Sequence, residues 1–141
     1  MKRKTRTRIL INGSSNLSEQ LATQITDRYE VQMIEEPNNG LVMVKMEENA
    51  KKSLFYLGEV FVTECKVQIN GQLGIGILKG DKPELSYYLA VIDAAYQAEL
   101  DEVKGWIPLL LAEEENIAVE RKEFDNKVLQ TKVNFENMDV E

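Results

Sequence analysis

SLFYLGEVFVTECKVQINGQLGIGILKGDKPELSYYLAVIDAAYQ, Ser53 to Gln97, decides the fold. From Glu59 to Ile69 the pattern alternates. Phe61, Thr63, Cys65, Val67 and Ile69 share one face, and Glu64, Lys66 and Gln68 take the more polar one. Period-two alternation is the mark of a strand with unlike faces. Asn70-Gly71 follows, and both residues tolerate the positive φ of a type I′ hairpin turn. The returning strand carries Leu73, Ile75 and Ile77 on one face and Gly74 and Gly76 on the other. Two bare positions on one face invite close approach by another backbone, from this chain or from a partner.

Gly80-Asp81-Lys82-Pro83-Glu84 then reads as a helix start, with Asp81 as cap and Pro83 and Glu84 in the first turn. In the helix itself Leu85, Leu89, Ile92 and Tyr96 form one apolar stripe. Tyr87, Val91, Ala94 and Ala98 form a second. A helix apolar on two sides is buried on two sides. In a domain this small the second side needs another element or another protein. Upstream, Ser53 to Leu57 reads as a strand, and Gly58 as a bulge or bend between it and the next.

Working outward, residues 4 to 12 are expected to form a short helix closed by Gly13 at C′. Asn16 is the expected N-cap of a second helix, with Leu17, Leu21 and Ile25 as its stripe. Tyr29 to Glu35 and Leu41 to Met46 read as strands, the second apolar enough to be central, with Glu36-Pro37-Asn38-Asn39-Gly40 as a turn. Gly105-Trp106-Ile107-Pro108 reads as a break. A long amphipathic helix is expected over 112 to 135, with Ile117, Phe124, Val128, Thr131 and Phe135 on one face. The expected class is α+β: an antiparallel β-sheet of about four to five strands packed with helices, ending in a long C-terminal helix. The chain is expected to be a single domain over 1–141: N-terminal helices at 1–28, sheet at 29–79, a helix at 82–100 and the C-terminal helix at 112–135.

Composition narrows the chemistry. The 141 residues include no histidine and one cysteine. That excludes Ser-His and Cys-His nucleophiles, His-based metal sites and an internal disulfide. Cys65 falls at an apolar-facing strand position, so a buried structural thiol is expected. The net charge of −7 disfavours nonspecific nucleic-acid binding. The charge is also uneven. Lys2, Arg3, Lys4, Arg6 and Arg8 crowd the start, while 113 to 141 holds nine acids against four bases. Such ends suit partners of opposite sign, or else are merely solvated. No apolar run reaches the ~18 residues of a membrane span, and the basic start lacks the apolar core of a secretory signal. The expectation is a cytoplasmic protein without membrane contact.

Three motifs invite chemistry and do not carry it. GQLGIG (71–76) has the wrong glycine order for a phosphate loop and runs from a hairpin into a strand. Glu113, Glu114 and Glu115 diverge by about 100° each on a helix, so they suit its first turn and dipole rather than one metal ion. Tyr87-Tyr88 reads as packing. No catalytic, cofactor or metal residue is assigned, and no cofactor is expected on this chain.

The segments LFYLGEVFVTECKVQ (54–68), GIGILKG (74–80) and AVIDAAYQ (90–97), in that order and spacing, resemble the PhnG family, the small subunit of the bacterial carbon–phosphorus lyase core complex. The resemblance extends through YEVQMIEEPNNGLVMVK (29–45) to Arg3, Arg6, Leu10 and Leu21-Ala22. After Gln97 it thins to Val133, Phe135 and Met138. Where many members have Gly-Arg-Asp and then His, this chain has Gly80-Asp81-Lys82 and Leu85. That exchange removes a titratable group and weakens any proton-transfer role for the turn. The resemblance implies an accessory, non-catalytic subunit working in a hetero-oligomer with PhnI, PhnH, PhnJ and PhnL-like proteins. It implies support for making α-D-ribose 1-methylphosphonate 5-triphosphate from ATP and methylphosphonate. An obligate interface can exceed 2,000 Å² and is rich in apolar residues. The residues expected to form it are Tyr87, Val91, Ala94 and Ala98 on the second helix stripe, Gly74 and Gly76, and Phe124, Val128 and Phe135. The alternative is a stand-alone small-ligand or nucleotide-binding α+β protein, for which Glu59, Lys66 and Asp93 are candidate polar groups.

Overall fold

The computed structural model describes the backbone of residues 1–48 and 53–139, and the side chains of residues 1–43 and 58–131. Two helices lead: α1 (Arg3–Asn12) and α2 (Ser15–Thr26). Three strands follow, β1 (Gln32–Glu48), β2 (Ser53–Ile69) and β3 (Gln72–Lys79), then α3 (Pro83–Gln97). A short 3-10 helix (Asp101–Gly105) leads into α4 (Trp106–Asp139). The class is α+β, as the pattern implies. The described residues contain three strands, in antiparallel order β1-β2-β3, fewer than expected.

The shortfall has a local cause. The two segments expected on either side of Pro37 run on as one strand, and so do the two on either side of Gly58. Between the Met33–Val67 and Asn38–Glu64 pairs β1 slips register twice against β2. The turn-forming residues are absorbed as bulges instead of reversing the chain. Asn38 stabilises the irregular stretch: its Nδ2 donates to Glu35 Oε1 at 2.8 Å and to the Glu64 carbonyl of β2 at 3.2 Å. Pro37 is tolerated because β1 is an edge strand, where a missing N–H breaks no ladder. At Gly58 the expected bulge is present, since the register slips between the Val44–Gly58 and Lys45–Tyr56 pairs.

LVMVKM is therefore on the edge and not central. Leu41 is 62% exposed, and Val42 and Met43 are exposed with it. The side chains of residues 44 to 46 lie outside the described residues.

The hairpin forms as its sequence dictates. Asn70 and Gly71 have φ of 51° and 80°, and Ile69 pairs with Gln72 across them. One face of β2 and β3 is then covered by α3. On that face a Cβ at Gly76 would lie within 2.6 Å of Ala90 N, and at Gly74 within 2.5 Å of Ala94 Cβ. Only glycine lets the helix backbone sit this close, and alanines at 90 and 94 meet it from above. Cys65, Val67 and Ile69 fill the same layer and are fully buried.

The other side of α3 meets the N-terminal helices. Leu89, Ile92 and Ala95 belong to one buried cluster with Ile9 and Leu10 of α1 and Leu21, Ala22 and Ile25 of α2. Each fully buried Leu or Ile contributes about 1.5–3 kcal/mol. Both faces of α3 are thus satisfied within the chain.

Element ends differ in detail from the expected caps. Gly13 is not left-handed (φ −85°). Its side-chain position is instead occupied by Glu113 of α4, whose Cγ would be 2.7 Å from an added Cβ. Ser14, not Asn16, caps α2, its Oγ accepting from the Asn16 N–H at 3.2 Å. The start of α3 is held by Thr63 of β2 and not by Asp81. The Thr63 hydroxyl accepts from the Lys82 N–H at 3.0 Å and donates to the Gly80 carbonyl. The chain does not break at Gly105–Pro108. Instead α4 begins at Trp106, which places Pro108 in the first turn, where a proline is accommodated. Trp106 and Leu110 enter the core, and from Ala118 to Thr131 every side chain of α4 is exposed.

Candidate functional site

The polar centre of the molecule lies where α1 crosses α3. Asp93 is the one acid within the buried run Leu89 to Ala95, and its carboxylate is saturated. Oδ1 accepts from Arg6 at 2.9 Å. Oδ2 accepts from Arg3 at 2.9 Å and from the Ile75 N–H of β3 at 2.9 Å. Three elements are tied to one side chain. Local geometry explains each arm. Arg6 shares the inward face of α1 with Ile9 and Leu10, at i+3 and i+4, while Arg3 lies one turn earlier. Ile75 alternates with Gly74 and Gly76, whose N–H groups face β2, so its own N–H points off the outer edge of β3.

The two arginines differ. The Arg6 side chain is 6% exposed and that of Arg3 is 54% exposed. The Arg6 guanidinium also lies 3.9 Å above the Tyr96 ring. Burial pushes the Arg6 pKa down, and Asp93 opposes that by favouring the cation. Guanidinium remains protonated under such a shift. Tyr96 packs edge-on to Trp106, whose Nε1 donates to Gln24 of α2 at 2.9 Å. Burial raises the Tyr96 pKa, with Arg6 opposing. Among the described residues, the Tyr96 hydroxyl is the one buried polar side-chain atom without a partner.

A cleft of about 630 Å³ opens beside this cluster. Its floor is apolar, from Leu10, Ile75, Ile77 and Leu89, and its rim is basic, from Arg3, Lys4 and Arg8. Arg8 is partly neutralised by Glu114 of α4 at 3.0 Å.

The other groups that sequence reading singled out are dispersed. Lys66 lies on the sheet surface between Glu35 (3.2 Å) and Glu64 (3.4 Å), Glu59 is exposed on β2, and Asp93 is under α1. These three do not converge on one pocket. Hydrogen bonding to Lys66 and Asn38 holds the Glu35 carboxyl below its usual range, and Glu35 raises Lys66 in return. Cys65 is fully buried and burial pushes its thiol up to about 11, which leaves it protonated and inert near neutral pH.

Glu113 to Glu115 are not in the first turn of α4, because that helix starts seven residues earlier than the triplet. Glu113 accepts from the Ser14 N–H at 3.0 Å and Glu114 binds Arg8, so two of the three fasten α4 to the α1–α2 junction. Tyr87 and Tyr88 pack with ring centroids 6.2 Å apart. Among the described residues no group of three or more His, Cys, Asp or Glu is arranged to hold a metal ion. No described helix is long and apolar enough to cross a membrane.

Four residues expected at a partner interface are interior. Val91 and Ala94 are fully buried, and Gly74 and Gly76 lie under α3. The middle of the second stripe of α3 is spent on this chain's own packing, so Val91 and Ala94 offer no surface. Tyr87 and Ala98 are half-buried, and Phe124 and Val128 are exposed on α4. The Phe135 side chain lies outside the described residues.

Sequence reading did not find the Arg3–Arg6–Asp93 cluster. A signal existed: one acid in an otherwise apolar helix run, matched by an arginine at the i−3 position of an apolar pair in α1.

A search of curated proteins returns no match to this chain. The family model described as phosphonate metabolism protein PhnG matches residues 1–139 of the 141. With nearly the whole length matched, through the glycine-faced hairpin and the Asp93 helix alike, the chain belongs to the PhnG family of phosphonate metabolism proteins.

Proposed function

We propose that the chain is an accessory, non-catalytic subunit of the carbon–phosphorus lyase core complex, working in the cytoplasm. It joins PhnI-, PhnH-, PhnJ- and PhnL-like proteins in a hetero-oligomer. In that assembly it supports formation of α-D-ribose 1-methylphosphonate 5-triphosphate from ATP and methylphosphonate. Its share is structural, since no nucleophile paired with a base is found among the described side chains.

The observation that carries the reading is apolar surface left uncovered by the chain's own packing. Leu41 and Phe61 pair across β1 and β2, with Met43 on the same face, and all three are exposed. Further along, that face is sealed by α3 over Cys65 and Val67. Phe124 is 66% exposed on α4, with Val128 and Leu129 nearby. Scattered exposed apolar residues are ordinary, but contiguous sets on a strand pair and on an otherwise charged helix mark interaction sites. Tyr87, Ala98 and Phe135 belong to the proposed contact set with Phe124 and Val128.

The test is co-expression with the four partner proteins. The chain is expected to co-purify with a PhnI-like protein, and to self-associate when expressed alone. A Phe124→Glu, Val128→Glu double variant should keep its fold, because both sites are exposed, and should lose the partner. A wild-type chain that stays monomeric and ignores those partners at micromolar concentration would sink the proposal.

A stand-alone ligand-binding protein is the second reading. The basic-rimmed cleft favours it, but the uncovered apolar surface does not follow from it.

A further inference from the structure

The cleft between α1, β3 and α3 has a charge imbalance built into its wall. Arg3 and Arg6 share one carboxylate, Asp93, whose two oxygens already accept three hydrogen bonds. One positive charge is therefore left over in a half-enclosed site, beside Lys4, which makes no ion pair among the described residues. The guanidinium of Arg3 is half exposed at the rim, so it has donors free to turn outward. Beneath it the floor is the reverse in character. Ile77 is half exposed, Leu89 and Ile92 are covered, and none of them brings a polar side chain.

A ligand that satisfies both halves has an anionic head and an apolar or flat body. At about 630 Å³ the cleft falls in the range of small-molecule sites of about 300–1,000 Å³, a volume of nucleotide scale. Arginine favours phosphate because its planar fork matches two oxygens at once. An extended acidic peptide suits the site less well, since α1 bounds the cleft on one side and Asp93 occupies the outward N–H of Ile75, which a peptide strand would need.

We propose that this cleft binds an organic phosphate of nucleotide size, with its phosphates on Arg3 and Lys4 and its organic part on the Ile77–Leu89 floor. The proposal goes beyond the assembly role, and its measurement uses the full chain without partners. A failure of assembly and a failure of binding are therefore seen separately.

The experiment is isothermal titration of the full chain with ATP, inorganic tripolyphosphate and adenosine, at low and moderate salt. ATP is expected to bind more tightly than either fragment and to weaken as salt rises. Arg3→Gln and Lys4→Gln should each weaken ATP about tenfold, the effect of losing one charge-assisted contact. Neither change removes the Arg6–Asp93 pair, so the fold is expected to persist, as Trp106 fluorescence would report. Ile77→Glu, at a half-exposed position on the floor, should weaken ATP by at least about tenfold through repulsion and lost apolar contact. Absence of ATP binding at millimolar concentration overturns the proposal, as does binding indifferent to these three changes. Tripolyphosphate binding as tightly as ATP removes the role of the floor and overturns it also. So does finding the cleft filled by an acidic segment of a partner that ATP fails to displace.

Discussion

Replacing Asp93 with alanine tests the central claim that one carboxylate ties α1, β3 and α3 together. The change deletes three hydrogen bonds of 2.9 Å and leaves Arg6 buried without its counter-charge. The Arg6 term dominates. Its side chain is 6% exposed, so water cannot replace the lost partner, and breaking a buried pair from one side costs about 3–5 kcal/mol. The Arg3 contact is half exposed and adds about 0–1 kcal/mol after screening. The expected total is about 4 kcal/mol, a large part of the 5–15 kcal/mol typical of a folded domain. With an m-value of about 2 kcal/mol per molar, the urea midpoint should fall by about 2 M. The assay is urea unfolding at low micromolar concentration, followed by the fluorescence of Trp106, the single tryptophan, which is buried against Tyr96. Arg6→Met supplies the second arm of a double-mutant cycle. With Arg6 gone, the Asp93 change strands no buried cation, so the double variant should lose at least about 1 kcal/mol less than the sum of the singles. Additivity within about 0.5 kcal/mol, or a cost below about 1 kcal/mol for Asp93→Ala, would refute the reasoning.

Two further expectations rest on packing and on pH. Gly76→Ala should destabilise by about 1–3 kcal/mol or more, since its Cβ would meet helix backbone at Ala90 N, 2.6 Å away. Gly40→Ala, where nothing lies within 4 Å, should be neutral in the same denaturation assay, and equal effects at the two sites would contradict the close α3–β3 approach. The Glu102 carboxyl is held below the usual glutamate range by hydrogen bonds, first from its own backbone and then from Tyr29 and Arg28. A depressed carboxyl contributes stability that is complete above its unfolded pKa and is lost as pH falls through the folded one. Glu102→Gln should therefore lower stability at neutral pH and flatten its loss below about pH 4.5, measured by acid titration of Trp106 fluorescence. An unchanged acid limb would remove Glu102 from the account.

What the sequence discloses tracks the range over which each feature is determined. Asn70-Gly71 carries its conformation in its own dihedral preferences, so the hairpin is legible from two letters. The α2 stripe and the alternation of β2 are nearly as local. Pro37 to Gly40 misleads because the same residue types serve a turn or a bulge, and only pairing with Glu64 to Val67 on β2 selects the bulge. LVMVKM misleads for a related reason. Apolar residues on both faces imply cover on both faces, but within this chain α3 seals only the far end of the ribbon. Gly74 and Gly76 announce a close approach without saying by what, and the answer is the chain's own helix. The Arg6–Asp93 pair spans 87 residues and leaves no periodic trace.

That pair also bears on where the molecule can grow. A leucine at Asp93 could pack as well and would avoid the desolvation of two charges. The carboxylate does something a leucine cannot, since it occupies the outward N–H of Ile75 on β3 while holding Arg3 and Arg6 of α1. An exposed strand edge is a template for pairing with another chain, and covering it prevents that. The outer edge of β3 is thus occupied at Ile75, whereas the outer edge of β1 carries no such contact among the described residues. No strand among the described residues pairs with the outer side of β1, and the exposed Leu41 and Met43 stand on that strand. In the proposed assembly, a partner seated on the β1 side would cover Leu41 and Met43 and leave the cleft beside α1, with its basic rim, on the opposite edge of the sheet.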